Sequence, residues 1–532
     1  MSSRPTRRLR LAAWCVCMSA AACADARRDQ EEAAPTTLVV SQGGDPGALN
    51  PAVTTSGNTH PVTDQIFNGL VGLDEQFNPI PELAERWDVE NDGATYRFHL
   101  RRDVRWHDGE PFTSADVKFT FDEALLKYHS RTRAALEGLL TRVETPDAHT
   151  VVMHLARPYG PLLQRLDVVE ASIIPKHQYA GHDLLSGEPT RRPIGTGPFR
   201  FVSYTPGDRL TLERNPDYFR QGLPGVDRLV FRILPNPVTA VAALENGEVD
   251  YIGGVPGPDV ARLRASPAIA VVPSTGGSGG SVCQDVLIPN VTRPPFDRLP
   301  VRRAFAHALD RRFIVERVYF NQGRPATGPI SHLLAWAYTP DVRQYPHDVS
   351  EAGRLLDQAG LPLGADGERF GITFTHASNH QRLGQVLREQ LKPVGIQLEL
   401  EVLDFNAQVE KVFVKKSFDL GLASFCNGAD PDIGVRRVYV SSNIGPFPFS
   451  NGAGYRNPRI DALFEEAASV VNRDERRGRY VAIQRLLAEE IPYFWLIDSE
   501  GLRAHRRAFT GFRLWTGAFA ETVRRAPPTT DE

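Results

Sequence analysis

PELAERWDVENDGATYRFHLRRDVRWHDGEPFTSADVKFTF, residues 81–121, joins a surface turn, an alternating strand and a helix start without any catalytic constellation, a combination that points to a binding scaffold. Asn91-Asp92-Gly93 supplies the positive-φ position that a tight turn needs. It stands between Trp87-Asp88-Val89 and a segment in which Tyr96, Phe98 and Leu100 alternate with polar neighbours. The spacing predicts a hairpin with one buried face. A second turn follows at Asp108-Gly109, and Thr113 or Ser114 then caps a helix whose first turn carries Asp116, where a carboxylate suits the helix dipole.

Working outward, TLVVS at 37–41 reads as a short buried strand, followed by a Gly- and Pro-rich loop that ends in TTSGNTH at 54–60. Val117, Phe121 and Leu125 recur at helical spacing between 114 and 126. Gly195-Thr196-Gly197-Pro198-Phe199 leads into a strand, and Arg214-Asn215-Pro216-Asp217-Tyr218 is a turn between alternating segments. A helix over 237–246, stopped by Gly247, is expected to bury Val238, Val241, Ala242 and Leu244. One amphipathic helix is expected over 300–318, with Val301, Phe305, Ala308, Leu309 and Val315 on its buried stripe, and others over 380–391 and 474–490. The chain is mixed α/β.

Arg4, Arg7, Arg8 and Arg10 precede an apolar run over 11–22, which reads as an export signal too short to span a membrane. Ala20-Ala21-Ala22-Cys23 is similar to a lipobox with Ala where Leu is commoner, so Cys23 is the expected lipidation site; the alternative is ordinary cleavage near Ala22. The polar, acidic run that follows suits a disordered tether. A length of 532 residues fits roughly three domains of about 150 residues and a core that needs no disulfide framework.

Residues 1–22 hold four Arg and no acid, so the remainder carries 57 basic against 64 acidic residues, a net charge of −7. With those charges dispersed, the chain lacks the basic stripe that nucleic-acid binding requires. Cys15 and Cys17 lie in the signal, leaving Cys283 and Cys426 in a compartment that permits disulfides. They either pair or stand as separate buried thiols. The second reading is preferred, since nothing in the sequence brings their Cα atoms within about 7 Å.

The stretch at 81–121 is joined by PIGTGPFRF at 193–201, LERNPDYF at 212–219, ALENGEVDYI at 243–252, PPFDRLPVRRAFAHALDR at 294–311 and FDLGLASFCNGADPDIG at 418–434. Taken in order, they resemble the family 5 extracellular solute-binding proteins, the peptide, nickel and oligopeptide receptors of ABC importers. The resemblance implies an α/β fold of the periplasmic-binding-protein type II-like class, with two hinged lobes and an extra lobe inserted in the first. It implies a signal peptide at 1–22, a tether at 23–36, lobe I at 37–71 with 191–275 and 487–522, lobe II at 72–190, lobe III at 276–486 and a tail at 523–532.

It also implies a peptide or peptide-like solute held between the lobes and passed to the importer's membrane subunits, by a monomer on a lipid anchor in the periplasm or another extracytoplasmic space. No catalysis, cofactor or nucleic-acid partner is expected. Thr54, Gly57, Asn58, Thr59 and His60 on one side, and Ser424, Phe425, Asn427, Asp430 and Arg436 on the other, are the expected ligand contacts.

Peptide-binding members commonly use an Asp for the α-ammonium group, and dipeptide binders add an Arg for the carboxylate. Asn427 stands in the acidic position, and Thr375 to Asn379 offers no Arg. A missing charge-assisted hydrogen bond is worth roughly 1.5–3 kcal/mol. A small anionic or sugar-like solute, met by Arg436 and Arg437, is therefore the alternative, as is a metal complex or haem tested at His60 or His376.

Gly276-Gly277-Ser278-Gly279-Gly280 satisfies the pattern of a serine hydrolase elbow, the alternative of another class. A strand over 282–288 follows it instead of the required helix, which favours a lobe crossing. Gly195-x-Gly197 lacks the helix start that phosphate binding needs. The fourteen His show no zinc spacing.

Overall fold

The structure is a computed structural model that describes residues 35–273, 282–513 and 517–527. The export signal, Cys23, most of the tether, Ser278 and the end of the tail lie outside the described residues.

Three larger sheets organise the described chain. The seven-stranded sheet runs Ile269–Pro273, Leu502–Arg506, Tyr251–Ile252, Thr37–Gln42, Arg228–Ile233, Arg209–Arg214, Phe199–Thr205. Its central strand, Thr37–Gln42, is parallel to both neighbours. It is not buried throughout: Leu38, Val40 and Gln42 are buried, while Thr37, Val39 and Ser41 are half-buried, with Val39 packed against a smaller apolar cluster that includes Val241 and Leu244 of the helix Pro237–Asn246. The six-stranded sheet runs Gly323–Pro325, Phe494–Ser499, Val282–Pro289, Leu420–Asn427, Phe370–Ala377, Ile396–Leu403. Phe494–Ser499 pairs with Val282–Pro289, so the return to the seven-stranded sheet comes at Leu502 and not after residue 486 as expected. The buried run Phe494 to Ile497 matches the apolar middle of that sheet.

The four-stranded sheet contains the hairpin read from the sequence. Ala84–Glu90 pairs with Thr95–Leu100 across Asn91-Asp92-Gly93, whose φ angles are 51°, 53° and 93°. Tyr96, Phe98 and Leu100 are buried. Thr113 caps Ser114–Phe119 in a reciprocal capping box with Asp116. One apolar cluster joins this sheet to the seven-stranded one, with Phe98 and Phe199 among its members, while a separate cluster fills the six-stranded lobe.

Two helical expectations are corrected. The helix Pro237–Asn246 ends at Gly247 (φ 77°) as expected, but it buries Ala240, Val241, Ala243 and Leu244 and leaves Val238 67 % exposed and Ala242 exposed. Its apolar residues extend round more than one face, and contact with the sheet selects among them. The segment 300–318 is two helices, Leu299–Ala308 and Arg311–Arg317, because Asp310 leaves helical geometry and accepts the Phe313 N–H as a new N-cap. The stripe from Val301 to Val315 is buried all the same.

The GTGPF segment is explained by close approach of two backbones. Gly197 donates to the Ile66 carbonyl at 2.8 Å and Phe199 to that of Gln65 at 3.0 Å. A Cβ on Gly195 would lie 1.8 Å from the Ile66 oxygen, so a side chain there has no room. The glycines serve this close packing.

His129, fully buried, caps Ser130–Leu136 by accepting the Thr132 N–H on Nδ1 at 3.2 Å. Burial pushes its pKa down from 6.5 to about 4, against the opposite pull of Glu170. The folded value is the depressed one, so this contribution to stability is fully present above pH 6.5 and is lost as pH falls through about 4. An NMR titration should place the His129 midpoint near 4; a midpoint at the ordinary 6.5 would contradict the buried cap.

Candidate functional site

Gln42, Ile233 and Ile252 end the parallel strands of the seven-stranded sheet on one edge, where Leu502 begins the neighbouring antiparallel strand. That edge is where ligands gather in open α/β sheets. It holds a cavity of about 330 Å³. Strand ends supply Val40, Ser41, Gln42, Gly43 and Phe231, and the segments beyond them supply Leu234, Pro235, Gly253 and Gly254. Gly57, Asn58, Pro61, Asp64 and Gln65 close one side, and Arg503, Gly517 and Phe519 another. The edge faces the six-stranded lobe, since the strands that exchange chain between the two sheets, Ile269–Pro273 with Val282–Pro289 and Phe494–Ser499 with Leu502–Arg506, meet there.

Of the expected contacts in the first loop, Gly57 and Asn58 reach this cavity and Thr54, Thr59 and His60 do not. The last three build the loop. Thr59 Oγ1 donates to the Pro46 carbonyl at 2.5 Å, and Gln42 Nε2 donates to the Asn58 carbonyl at 2.8 Å. His60 is buried with Nδ1 3.1 Å from Asp64 Oδ1 and Nε2 3.1 Å from the Thr54 carbonyl. Burial opposes charge on the ring, yet the Asp64 carboxylate raises its pKa above 6.5, which favours an imidazolium that donates from both nitrogens. Both nitrogens being engaged, His60 is a strut of the loop.

The second expected group is not at the cavity. Ser424 lies on the exposed face of its strand and donates to Asp285. Phe425 is buried against Phe413 and Tyr493. Asn427 is buried beside Gly434, its Oδ1 without a hydrogen-bond partner among the described residues. Asp430, fully buried, binds Arg476 Nη2 at 2.5 Å and accepts the Tyr480 hydroxyl at 2.9 Å. Arg436 pairs with Asp432 at 3.0 Å and with Glu465. Arg437 forms no ion pair among the described residues, and burial together with nearby Arg131 lowers its pKa. Cys283 and Cys426 face each other in register, with Cα atoms 3.9 Å apart, and form a disulfide. This corrects the preference for separate thiols: register, which sequence does not display, brings them together, and Cys426 is exposed.

What the turn after Asn427 does instead is meet the chain between the four-stranded sheet and residue 170. Tyr159 donates its hydroxyl to Asp432 Oδ2 at 2.5 Å. Arg165 Nε donates to the Tyr159 oxygen at 2.6 Å and Arg165 Nη2 to the Asp432 carbonyl at 3.1 Å. All three side chains are buried. Beside them Gly160 donates to the Ala468 carbonyl at 2.8 Å, and Arg157 pairs with Glu465 at 3.1 Å. Phe77 is 5 % exposed in the apolar cluster of the six-stranded lobe. A seam of buried polar and apolar contacts therefore ties the two bodies together away from the cavity.

Sequence reasoning missed Gln42, Tyr251, Gly253, Gly254, Arg503 and Phe519. The rule that parallel strands present ligands at their carboxyl ends points to Gln42 and Gly253, given the strand order. Among the described residues no group of three His, Cys, Asp or Glu is placed to hold a metal ion, and no helix is long and apolar enough to cross a membrane. His376 is fully buried and, like His60, does not line the cavity.

The sequence profile of bacterial extracellular solute-binding proteins, family 5 Middle, matches residues 78–446. Heme-binding protein A of Haemophilus influenzae is 28 % identical over 501 residues, covering 90 % of this chain and 89 % of its own. Glutathione-binding protein GsiB of Pectobacterium atrosepticum is 27 % identical over 482 residues, covering 89 % and 91 %. Among solved structures, the ABC transporter-associated periplasmic binding protein DppA from Helicobacter pylori, in complex with the peptide STSA, superposes with a TM-score of 0.76. It is 25 % identical and covers 92 % of this chain and 98 % of its own.

Proposed function

This chain belongs to family 5 of the bacterial extracellular solute-binding proteins, and on that premise we propose that it captures a peptide or peptide-like solute in the cleft between its lobes and delivers it to an ABC importer. The observation that carries the reading is the cavity of about 330 Å³ at the strand ends that face the six-stranded lobe, a volume within the roughly 300–1,000 Å³ of small-molecule sites. Two relatives point the same way: one is named for binding glutathione and one holds a peptide. Gly57 and Asn58 touch the solute, and Thr54, Thr59 and His60 shape the loop that presents them. Ser424, on the exposed strand face, is the residue of the second group best placed to reach the cleft. Phe425, Asn427, Asp430 and Arg436 support that lobe.

The physical logic is differential affinity: a solute that touches both lobes favours the closed state, which the importer distinguishes from the open one. The protein performs no chemistry on what it carries. It acts as an exported monomer, anchored by lipid on Cys23, and a mass shift of one acylated cysteine on the membrane-extracted protein tests the anchor.

The seam fastens the closed state. Tyr159→Phe removes a hydrogen bond to a buried carboxylate, a contact worth roughly 1.5–3 kcal/mol. The apparent affinity for solute should fall by roughly tenfold or more, with a larger radius of gyration for the free protein. Unchanged affinity and radius would sink this role for the seam.

Native mass spectrometry of protein exported without Cys23 weighs whatever co-purifies in the cleft. A ladder of peptide masses supports the proposal, and one discrete non-peptide mass contradicts it. The second outcome would favour a small anionic solute, the reading that Arg437 supports.

A further inference from the structure

The three aromatic rings in the cavity wall form one surface. Tyr251 stacks on Phe519 with centroids 5.2 Å apart, and Phe231 meets Phe519 edge-on at 6.2 Å. Val40, Leu234, Ala240 and Pro237 extend that surface. Several of the polar groups that reach the cavity already have partners within the protein. Asp64 is bound by His60, and the Arg503 guanidinium donates to the Tyr251 hydroxyl. Gln42 Nε2 donates to Asn58, and Gln65 donates to Pro61 and accepts from the Ala520 N–H. A cationic group entering here would lose water and find Asp64 already engaged by His60, whereas an apolar group would exchange water for rings.

The glycines of the rim add the space. A Cβ on Gly43, Gly57 or Gly254 would meet nothing within 4 Å, so these positions leave the cavity open and none owes its glycine to a crowded backbone.

Building on the reading of this cleft as the place of capture, we propose that the cavity is a specificity pocket for an uncharged, bulky apolar side group of the solute, best filled by an aromatic one. Tyr251, Phe231 and Phe519 are the residues that select it. The rings offer the stacked and edge-to-face contacts that aromatic groups prefer. A peptide carrying Phe or Leu at the inserted position is thus favoured over one carrying Gly, Glu or Lys.

The test uses ligand-stripped protein, the tripeptides Ala-X-Ala with X as Phe, Leu, Gly, Glu or Lys, and the neutral probe N-acetylphenylalaninamide, all by calorimetry. The Phe and Leu peptides should bind at least about 10-fold tighter than the others, in keeping with discrimination by an apolar pocket. Gly254→Leu, which fills the rim, should abolish that difference, bringing the Phe and Leu peptides down to the affinity of the Gly peptide; Ala240→Phe is a second filling variant should the first fold poorly. Equal affinities across X, or a preference for Glu or Lys, would overturn the pocket's role and leave peptide capture standing. Binding of the neutral probe alone, lost in Gly254→Leu, would uphold the pocket and refute capture of peptides. No binding by any peptide or by the probe would refute the pocket.

Discussion

Asp430→Ala should lower the free energy of unfolding by about 3–5 kcal/mol, the penalty for leaving a buried cation uncompensated. Arg476 is 1 % exposed and sits between the Asp430 carboxylate at 2.5 Å, the Ala467 carbonyl at 3.0 Å and the Trp336 ring at 5.4 Å. Without Asp430 it keeps the carbonyl and the ring and loses its charge partner. Asp430 also accepts the Asp432 N–H at 2.9 Å, so the turn that presents Asp432 to Tyr159 loosens with it. Urea unfolding measures the loss. A change below about 1 kcal/mol, combined with a large fall in solute affinity, would return Asp430 to the role of ligand contact that its sequence position implied.

The second large effect belongs to Cys283 and Cys426. They close a loop of sequence separation 143, and chain-entropy arguments assign removal of such a link a cost of about 2–5 kcal/mol. The bond joins the ends of Val282–Pro289 and Leu420–Asn427 where the six-stranded sheet meets the cleft edge. Paired Cys283→Ser and Cys426→Ser changes should therefore reduce the unfolding midpoint and broaden motion at that edge, read by hydrogen exchange of the Val282 and Asn427 amides. A double variant as stable as the parent, with unchanged exchange, would show that the sheet ladder alone holds the two strands.

Local signals in the sequence proved reliable where a single segment decides the geometry. The hairpin at Asn91-Asp92-Gly93 and the cap at Thr113 need only neighbours within a few residues. Asp310, an N-cap residue in the middle of an apolar stripe, carried the signal for the helix break, but a continuous stripe outweighed it. Val238 and Ala242 show the limit of apolar counting, since only the sheet decides which of several apolar faces is covered.

The site was less legible because it is assembled from distant segments. Gln42, Gly253, Arg503 and Phe519 converge only once strand order is known. Asp432 and Tyr159 are 273 residues apart, and neither is unusual by itself. Polar turns such as 423–430 read alike whether they hold a solute or their own lobe. Here Asp430 and Asp432 have internal partners.

The most direct test of capture between lobes is small-angle scattering of the ligand-stripped protein with and without saturating Ala-Phe-Ala. The account predicts a smaller radius of gyration with peptide, and a free form further expanded by Tyr159→Phe. A tightly bound peptide that leaves the radius unchanged in both proteins would contradict closure on the solute.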